Sequence, residues 1–166
     1  MKGEKEKGEE ISLQNAKVGQ IIELISKLDI LGGETDREGL AYALGINKNS
    51  LSHPLKAAEI LGLVTIRERR VQLTARGKEF AQVNEDARKK IFEECLSSVE
   101  PFATILRASR NGTQLTFDEV RNLVKAKVVA ARKWKASTGD EMMRVISNWF
   151  DFIGIKFAEG RNVEST

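Results

Sequence analysis

The sequence predicts a mainly helical protein with short β-hairpins, organised as a tandem winged helix-turn-helix with a degenerate second unit. Two observations support this prediction. Residues 46–77 read as a helix, a glycine turn, a β-hairpin and a new helix start, which is the order of the second half of a winged helix-turn-helix. Residues 85–160 then read as three helices and a strand, a repeat of the plan without a residue-level copy.

The composition is that of a globular protein with one ordinary domain or two small ones. The chain has 166 residues, of which 41% are hydrophobic and 31% charged. With 27 Lys and Arg against 24 Asp and Glu the net charge is only +3, so a basic surface must come from local clustering. The single cysteine, Cys95, excludes an internal disulfide and gives weak support to a reducing compartment.

The hydrophobic pattern also predicts where the protein is located in the cell and where its segments begin and end. No apolar run is long enough to insert in a membrane, and the N-terminus lacks the apolar core of a signal peptide, so we expect a cytoplasmic protein. The expected segments are a disordered tail, a winged helix-turn-helix domain, a second winged-helix-like domain and a short tail, at residues 1–12, 13–84, 85–160 and 161–166.

The first two helices are predicted from an apolar face and a capping signal. Apolar residues at helical spacing over residues 18–28 predict the first helix. Thr35 and Glu38 have the spacing of a capping box, so we expect the second helix to begin there and to end at Gly45.

Pro54 leaves two alternatives for the start of the third helix. Proline is comfortable only in the first turn of a helix, so the helix either starts near Ser52 or starts at Asn47 and is kinked. We favour the later start. Near its N-terminal end lie side chains of the kinds that reach phosphates and base edges, namely Lys48, Asn49, Ser52, His53 and Lys56.

A β-hairpin is predicted directly after the third helix. Strand-like runs at residues 63–67 and 70–74 are joined tightly, and Thr74 is then the predicted cap of the next helix. The hairpin tip carries three arginines, Arg67, Arg69 and Arg70. Two interpretations stay open: the arginines are a solvated turn that blunts an edge strand, or they are a wing that contacts phosphate.

The second half contains further helix signals. Asn84 is the predicted cap of a long helix that places Cys95 on its buried face and is interrupted by Pro101. Two more capping boxes, Thr116 with Glu119 and Thr138 with Glu141, each predict a helix start. Residues 155–158 read as a strand, and the aromatic and methionine residues between 142 and 157 read as core.

Residues 121–135 form a run that contains six basic residues and no acidic residue. At helical spacing, Arg121, Lys125 and Arg132 share one face. The run is either a phosphate-tracking strip, with Trp134 stacking on a base or a partner, or a solvated face with a packed tryptophan, which is the commoner case. Its members are Arg121, Lys125, Lys127, Arg132, Lys133 and Lys135.

No catalytic, cofactor-binding or metal-binding residues are predicted. His53 is the single histidine, and no second His or Cys lies at ligand spacing. Gly77 and Lys78 lack the upstream glycine of a nucleotide-binding loop. The carboxylates are scattered among basic residues, and nothing marks a pair for acid–base chemistry. We therefore expect a protein that is not an enzyme and has no cofactor.

Several segments, in order, resemble the C-terminal AAA-associated domain family. They are residues 54–63 (PLKAAEILGL), Leu73 and Thr74 with Gly77, Lys78 and Phe80, residues 87–92, Pro101, and Ile146 with Trp149. The resemblance spans residues 18–157 and matches the position of Pro54. It implies a winged-helix-like accessory domain of the kind appended to ATP-binding subunits of ABC-type transporters for nitrate, sulfonate or similar anions. No ATPase half is visible, so the chain would act alone or in trans on a separate ATPase.

Two functions are therefore expected from different classes. In the first, the protein binds duplex DNA as a transcriptional regulator, through the polar residues of the third helix, the hairpin arginines and the basic run. In the second, it is an interaction module that docks on an ABC-type ATPase subunit, or forms a homodimer through the long helix at residues 85–99.

Overall fold

The structure, a computed structural model, describes residues 15–159, and these are mainly helical with one small antiparallel sheet. The predicted mainly-α fold with a short β-hairpin is confirmed. The described chain forms two compact units, residues 15–95 and 96–159. The predicted tails lie outside the described residues, and the predicted domain boundary at residue 84 stays a prediction.

The N-terminal unit alternates helices with the strands of the sheet. Its elements in chain order are α1 (Val18–Ile30), β1 (Glu34–Asp36), α2 (Arg37–Leu44), α3 (Lys48–Ile60), β2 (Val64–Arg67), β3 (Arg70–Leu73), α4 (Ala75–Gln82) and α5 (Glu85–Leu96). Helix α1 contacts α2, α3 and α4 and is central to this unit. Its buried residues are Val18, Ile21, Leu24, Ile25 and Leu28, and burial of each large aliphatic side chain stabilises the fold by about 1.5–3 kcal/mol.

The sheet has the strand order β1-β3-β2, so the hairpin is extended by a strand from earlier in the chain. Glu34 pairs with Gln72 on one side of β3, and Val64 pairs with Leu73 on the other. The hairpin turns at Glu68, which has a φ of 55°. Strand β1 was not predicted, because three polar residues carry no alternating apolar pattern and the strand exists only through its partner.

Helix α2 begins one residue later than the capping box predicted. Its N-cap is Asp36, whose Oδ1 accepts a hydrogen bond from the Gly39 N–H at 2.7 Å. Thr35 is instead held in β1, opposite Val71. The assignment of Thr35 as the cap is therefore wrong, because strand pairing decides the backbone conformation at that residue.

Helix α3 begins at Lys48, so the favoured later start near Ser52 is wrong. The Asn47 side chain caps the helix and accepts a hydrogen bond from the Ser50 N–H at 2.8 Å. Pro54 lies inside the helix and is buried. It lacks the N–H that would donate to the Ser50 carbonyl, which costs stability, and burial of its apolar ring offsets part of that cost.

The two helix caps predicted after the hairpin are confirmed. Thr74 caps α4 through a hydrogen bond from the Gly77 N–H at 2.9 Å. Asn84 accepts a hydrogen bond from the Ala87 N–H at 2.9 Å at the start of α5.

The C-terminal unit is a helical bundle with an aromatic core. Its elements are α6 (Phe102–Ser109), α7 (Phe117–Lys127), a short 3₁₀ helix (Val129–Lys133) and α8 (Ala136–Phe152). The rings of Phe102 and Trp149 lie 5.1 Å apart, and the rings of Phe150 and Phe157 lie 5.5 Å apart. The capping box of Thr116 and Glu119 is confirmed at the start of α7.

Two predictions for this unit are wrong. Helix α8 begins at Ala136 without a side-chain cap, so Thr138 lies inside its first turn and is not its cap. The strand predicted at residues 155–158 is reduced to one parallel bridge between Ala158 and Thr116. Residues 155–157 pair with no described strand, and an apolar run alone does not form a sheet.

Candidate interaction surface of α3 and the hairpin

Helix α3 and strand β2 form a groove on the N-terminal unit that collects several of the predicted site residues. Ser52 and His53 are exposed, Lys56 is half-buried, and all three line the groove. Ile66 of β2 and Arg37 at the start of α2 also line the groove, and its volume is about 420 Å³. The predicted residues Lys48 and Asn49 are exposed in the first turn of the same helix.

The hairpin tip is fixed to the start of α2 through the backbone. The Arg37 N–H donates a hydrogen bond to the Arg69 carbonyl at 3.2 Å. Arg67 and Arg70 face each other in the strand register, and all three tip arginines are exposed. We call the groove, the first turn of α3 and this tip the α3–hairpin surface.

Carboxylates from other elements are placed among these basic residues. Glu38 of α2 accepts from Lys48 Nζ at 3.0 Å, and its pKa is held below its ordinary value chiefly by that hydrogen bond, with the charge of Arg69 contributing last. Glu38 is therefore paired with the first turn of α3, and it is also subject to the charge of the hairpin tip. Further pairs join Lys56 Nζ to Glu59 at 3.2 Å and Arg70 to Glu34 at 3.2 Å.

Sequence reasoning missed these carboxylates. Glu59 stands three residues after Lys56 on one helix, a spacing that predicts contact. Glu34 and Glu38 come from β1 and α2, and only the folded sheet and helices bring them to the hairpin and α3. The surface is therefore mixed in sign, whereas the sequence predicted an array of positive side chains.

The basic run of the C-terminal unit does not lie on one helix. Helix α7 ends at Lys127, so the prediction that Arg121, Lys125 and Arg132 share one helical face is wrong. Arg132 lies in the 3₁₀ helix, where its Nε donates a hydrogen bond to the Lys125 carbonyl at 3.0 Å. That bond ties the 3₁₀ helix to the last turn of α7, so the chain folds back between them.

The fold-back divides the run into two groups. Arg121, Lys125 and Lys135 line a small pocket together with Trp134. The exposed residues of the run that are not among the pocket's lining are Lys127, Arg132 and Lys133.

The long helix α5 has a buried apolar face. Ile91, Phe92 and Cys95 are all buried, and the Phe92 ring lies 6.3 Å from that of Phe80. Burial raises the pKa of the Cys95 thiol, and the guanidinium of Arg76 at 3.9 Å opposes that rise only in part. A homodimer through the helix at residues 85–99 stays a prediction.

Residues 15–159 contain no group of three or more His, Cys, Asp or Glu side chains that could hold a metal ion. No helix within the same residues is long and apolar enough to cross a bilayer.

Comparison with known proteins identifies the family. The model of the C-terminal AAA-associated domain matches residues 39–157, which is most of the chain, and this protein therefore belongs to that family. No curated protein and no solved structure matches the chain.

The family match covers parts of both compact units and excludes α1 and β1. Strand β1 nevertheless pairs with β3, and α1 supplies fully buried core residues. The matched region thus depends on residues upstream of it for its sheet and its core.

Proposed function

We propose that this protein is a non-enzymatic accessory protein that docks on an ATP-binding subunit through the α3–hairpin surface. Family membership supports the class of partner, because the family is that of a domain associated with ATPases. The observation that carries the choice of surface is its mixture of charges, in which three of the basic side chains are paired with Glu34, Glu38 and Glu59.

Mixed charge favours a protein partner over a nucleic acid. A DNA-binding surface gains affinity when Lys and Arg neutralise phosphates and release counterions. Carboxylates interleaved with those cations would repel the phosphates. A protein surface carries both signs, so alternating charges fix orientation and discriminate between partners.

The existing ion pairs do not prevent such docking. The side chains of Lys48 and Glu38 are 58% and 54% exposed, so solvent screens their attraction and the pair adds little stability. Each member can exchange its partner for an opposite charge on a docked protein. The groove between Ser52 and Ile66 is large enough to receive a side chain from that protein.

A charge-reversal pair tests the docking surface. The double variant Lys48→Glu, Arg69→Glu reverses the cation that is paired with Glu38 and one cation of the hairpin tip. The matched control, Lys78→Glu with Lys90→Glu, reverses two exposed lysines on α4 and α5. Tagged full-length chains are expressed in native cells, and retained proteins are identified by quantitative mass spectrometry. We expect the wild type and the control to retain an ATP-binding subunit, and we expect the double variant to retain none.

DNA binding is the second candidate, and a specific observation favours it. The order α1, β1, α2, α3, β2, β3 with a β1-β3-β2 sheet is compatible with a winged helix-turn-helix, in which α3 would enter the major groove and the hairpin would contact phosphate. Arg67 and Arg69 are exposed at the tip, where such a wing presents its charges.

Fluorescence anisotropy with labelled duplex DNA separates the two candidates. If DNA binds, affinity falls by orders of magnitude between about 50 and 200 mM salt. Changing Arg67, Arg69 and Arg70 together to alanine then weakens binding to all sequences alike and lowers the salt slope by about 3. Docking on an ATP-binding subunit predicts no saturable DNA binding at either salt concentration.

A further inference from the structure

We propose that the pocket between α7 and α8 binds a small organic anion with a short apolar chain. The pocket lies wholly within the C-terminal unit and is separate from the α3–hairpin surface, so this inference does not depend on the proposed function. Its volume is about 70 Å³. Basic side chains and a tryptophan line it together with apolar residues, a combination that suits a ligand with one charged end and one apolar end.

The apolar part of the lining comes from the inner faces of two helices. Val124 of α7 and Met142, Met143 and Ile146 of α8 all line the pocket, and all four are buried. Methionine side chains adapt to irregular shapes, so they can close around a short alkyl chain. An alkyl group in this part of the pocket would therefore leave water and pack against apolar side chains.

The charged part is positive. Arg121, Lys125 and Lys135 line the pocket, and its described lining includes no Asp or Glu. Asp140 lies beside it and accepts from Arg121 Nη1 at 3.2 Å, so it offsets one of the three positive charges. The remaining excess attracts an anion, and a carboxylate can accept charge-assisted hydrogen bonds from lysine ammonium groups.

The chain builds this arrangement through its fold-back. Helix α7 is followed by its C-cap Val128, whose N–H still donates to the Val124 carbonyl at 2.7 Å but whose backbone is extended, with φ −118° and ψ 103°. Arg132 Nε then donates to the Lys125 carbonyl at 3.0 Å. The chain therefore returns and places Trp134 and Lys135 beside Lys125 at the pocket.

Volume limits the ligand to a small molecule. One water needs roughly 10–15 Å³ of such space, so 70 Å³ accommodates about five to seven water-sized groups. A carboxylate with a three-carbon or four-carbon chain satisfies this limit with its charged end at the mouth. Nucleotides and sugar phosphates exceed it, since pockets for ligands of that size are about 300–1,000 Å³.

Nuclear magnetic resonance of the full chain tests the proposal with butanoate as the probe. The two tryptophans give two indole N–H signals, and Trp134→Phe assigns them. Trp134 lines the pocket, whereas Trp149 is buried in the core and serves as an internal reference. Sodium butanoate, butan-1-ol and butylammonium chloride are titrated at constant ionic strength. We expect a saturable shift of the Trp134 signal with butanoate alone, with a millimolar Kd.

Charge variants sharpen the test because they predict changes of opposite sign. Lys125→Gln with Lys135→Gln raises the Kd for butanoate about tenfold, and Asp140→Asn lowers it about threefold. The matched control, Lys127→Gln with Lys133→Gln, removes two charges of the same run whose residues are not in the pocket lining, and it leaves the Kd unchanged.

Three results would overturn the proposal. Equal shifts of the Trp134 signal with butanoate and butan-1-ol would show that the pocket binds apolar groups without selecting for negative charge. A linear shift without saturation, lowered equally by the control variant, would show general attraction of anions to the basic run. Saturable binding that shifts no Trp134 signal would place the ligand elsewhere.

Discussion

Replacing Gly77 with alanine tests how helix α4 and the hairpin are held together. Gly77 is buried in the first turn of α4. A Cβ atom built there would lie 2.0 Å from the Leu63 carbonyl oxygen, and real Cβ atoms essentially never come within 3.0 Å of a neighbour. That oxygen also accepts a hydrogen bond from the Thr74 N–H at 3.0 Å, so it cannot move without loss of the contact. The backbone must therefore shift by about 1 Å to bring the Cβ atom even to 3.0 Å from that oxygen.

Three contributions determine how far Gly77→Ala changes the free energy of unfolding. Overpacking costs up to about 3 kcal/mol, and loss of the hydrogen bond between Thr74 and Leu63 costs about 1 kcal/mol. The better helix propensity of alanine returns about 1 kcal/mol. We expect Gly77→Ala to lower the free energy of unfolding by about 3 kcal/mol.

Denaturant unfolding followed by far-ultraviolet circular dichroism measures this change, with Gly19→Ala as the matched control. Gly19 is also helical, but a Cβ atom there meets nothing within 4 Å. The control should gain about 0.5–1 kcal/mol from helix propensity. Equal stabilities for the two variants would refute the packing argument.

The remaining predictions concern an ion pair, a thiol and the aromatic core. Lys48→Ala should raise the pKa of Glu38 towards its ordinary value in a carbon-13 carboxyl titration, because the hydrogen bond from Lys48 is the largest cause of the depression. Since the folded pKa is the lower one, the pair stabilises the fold above the unfolded pKa, and this contribution is lost as pH falls through the folded pKa. An unchanged pKa would contradict the pairing. The Cys95 thiol, buried and with a raised pKa, should react with a chromogenic disulfide reagent only after the chain is unfolded in guanidinium, and prompt reaction in the native state would contradict its burial. Trp149→Ala should cost about 3–5 kcal/mol, and Trp134→Ala, at a half-buried position, should cost clearly less; equal losses of unfolding free energy would contradict the core assignment.

Much of the fold followed from local signals in the sequence. The hairpin, the Thr74 and Asn84 caps and the capping box of Thr116 and Glu119 were predictable because each depends on residues within one turn. Aromatic residues at helical spacing likewise predicted the buried face of α8, which includes Trp149.

The errors lie where a distant contact overrides a local preference. Thr35 has the spacing of a cap, but pairing with Val71 holds it in a strand. Pro54 favours a later helix start, but the Asn47 cap and burial of the proline ring maintain an earlier one. Thr138 has a partner at the right spacing, yet the chain has already begun α8 at Ala136.

The candidate sites were only partly predictable for the same reason. The sequence identified the basic residues of α3 and the hairpin, but Glu34 and Glu38 reach them only through the folded sheet and α2. In the C-terminal unit, Met142 and Met143 were read as core alone. Their position beside Lys125 depends on the turn after α7, which no local pattern predicted.

The most direct test of the central claim is the amount of ATP-binding subunit retained from native cells by two charge-reversal variants of the full chain. Lys48→Glu with Arg69→Glu alters the α3–hairpin surface, and Lys78→Glu with Lys90→Glu alters α4 and α5 by the same charge. Docking through the α3–hairpin surface predicts at least about tenfold less subunit with the first variant, because like charges placed in an interface repel. Equal amounts with both variants, or no ATP-binding subunit with wild type, would contradict it.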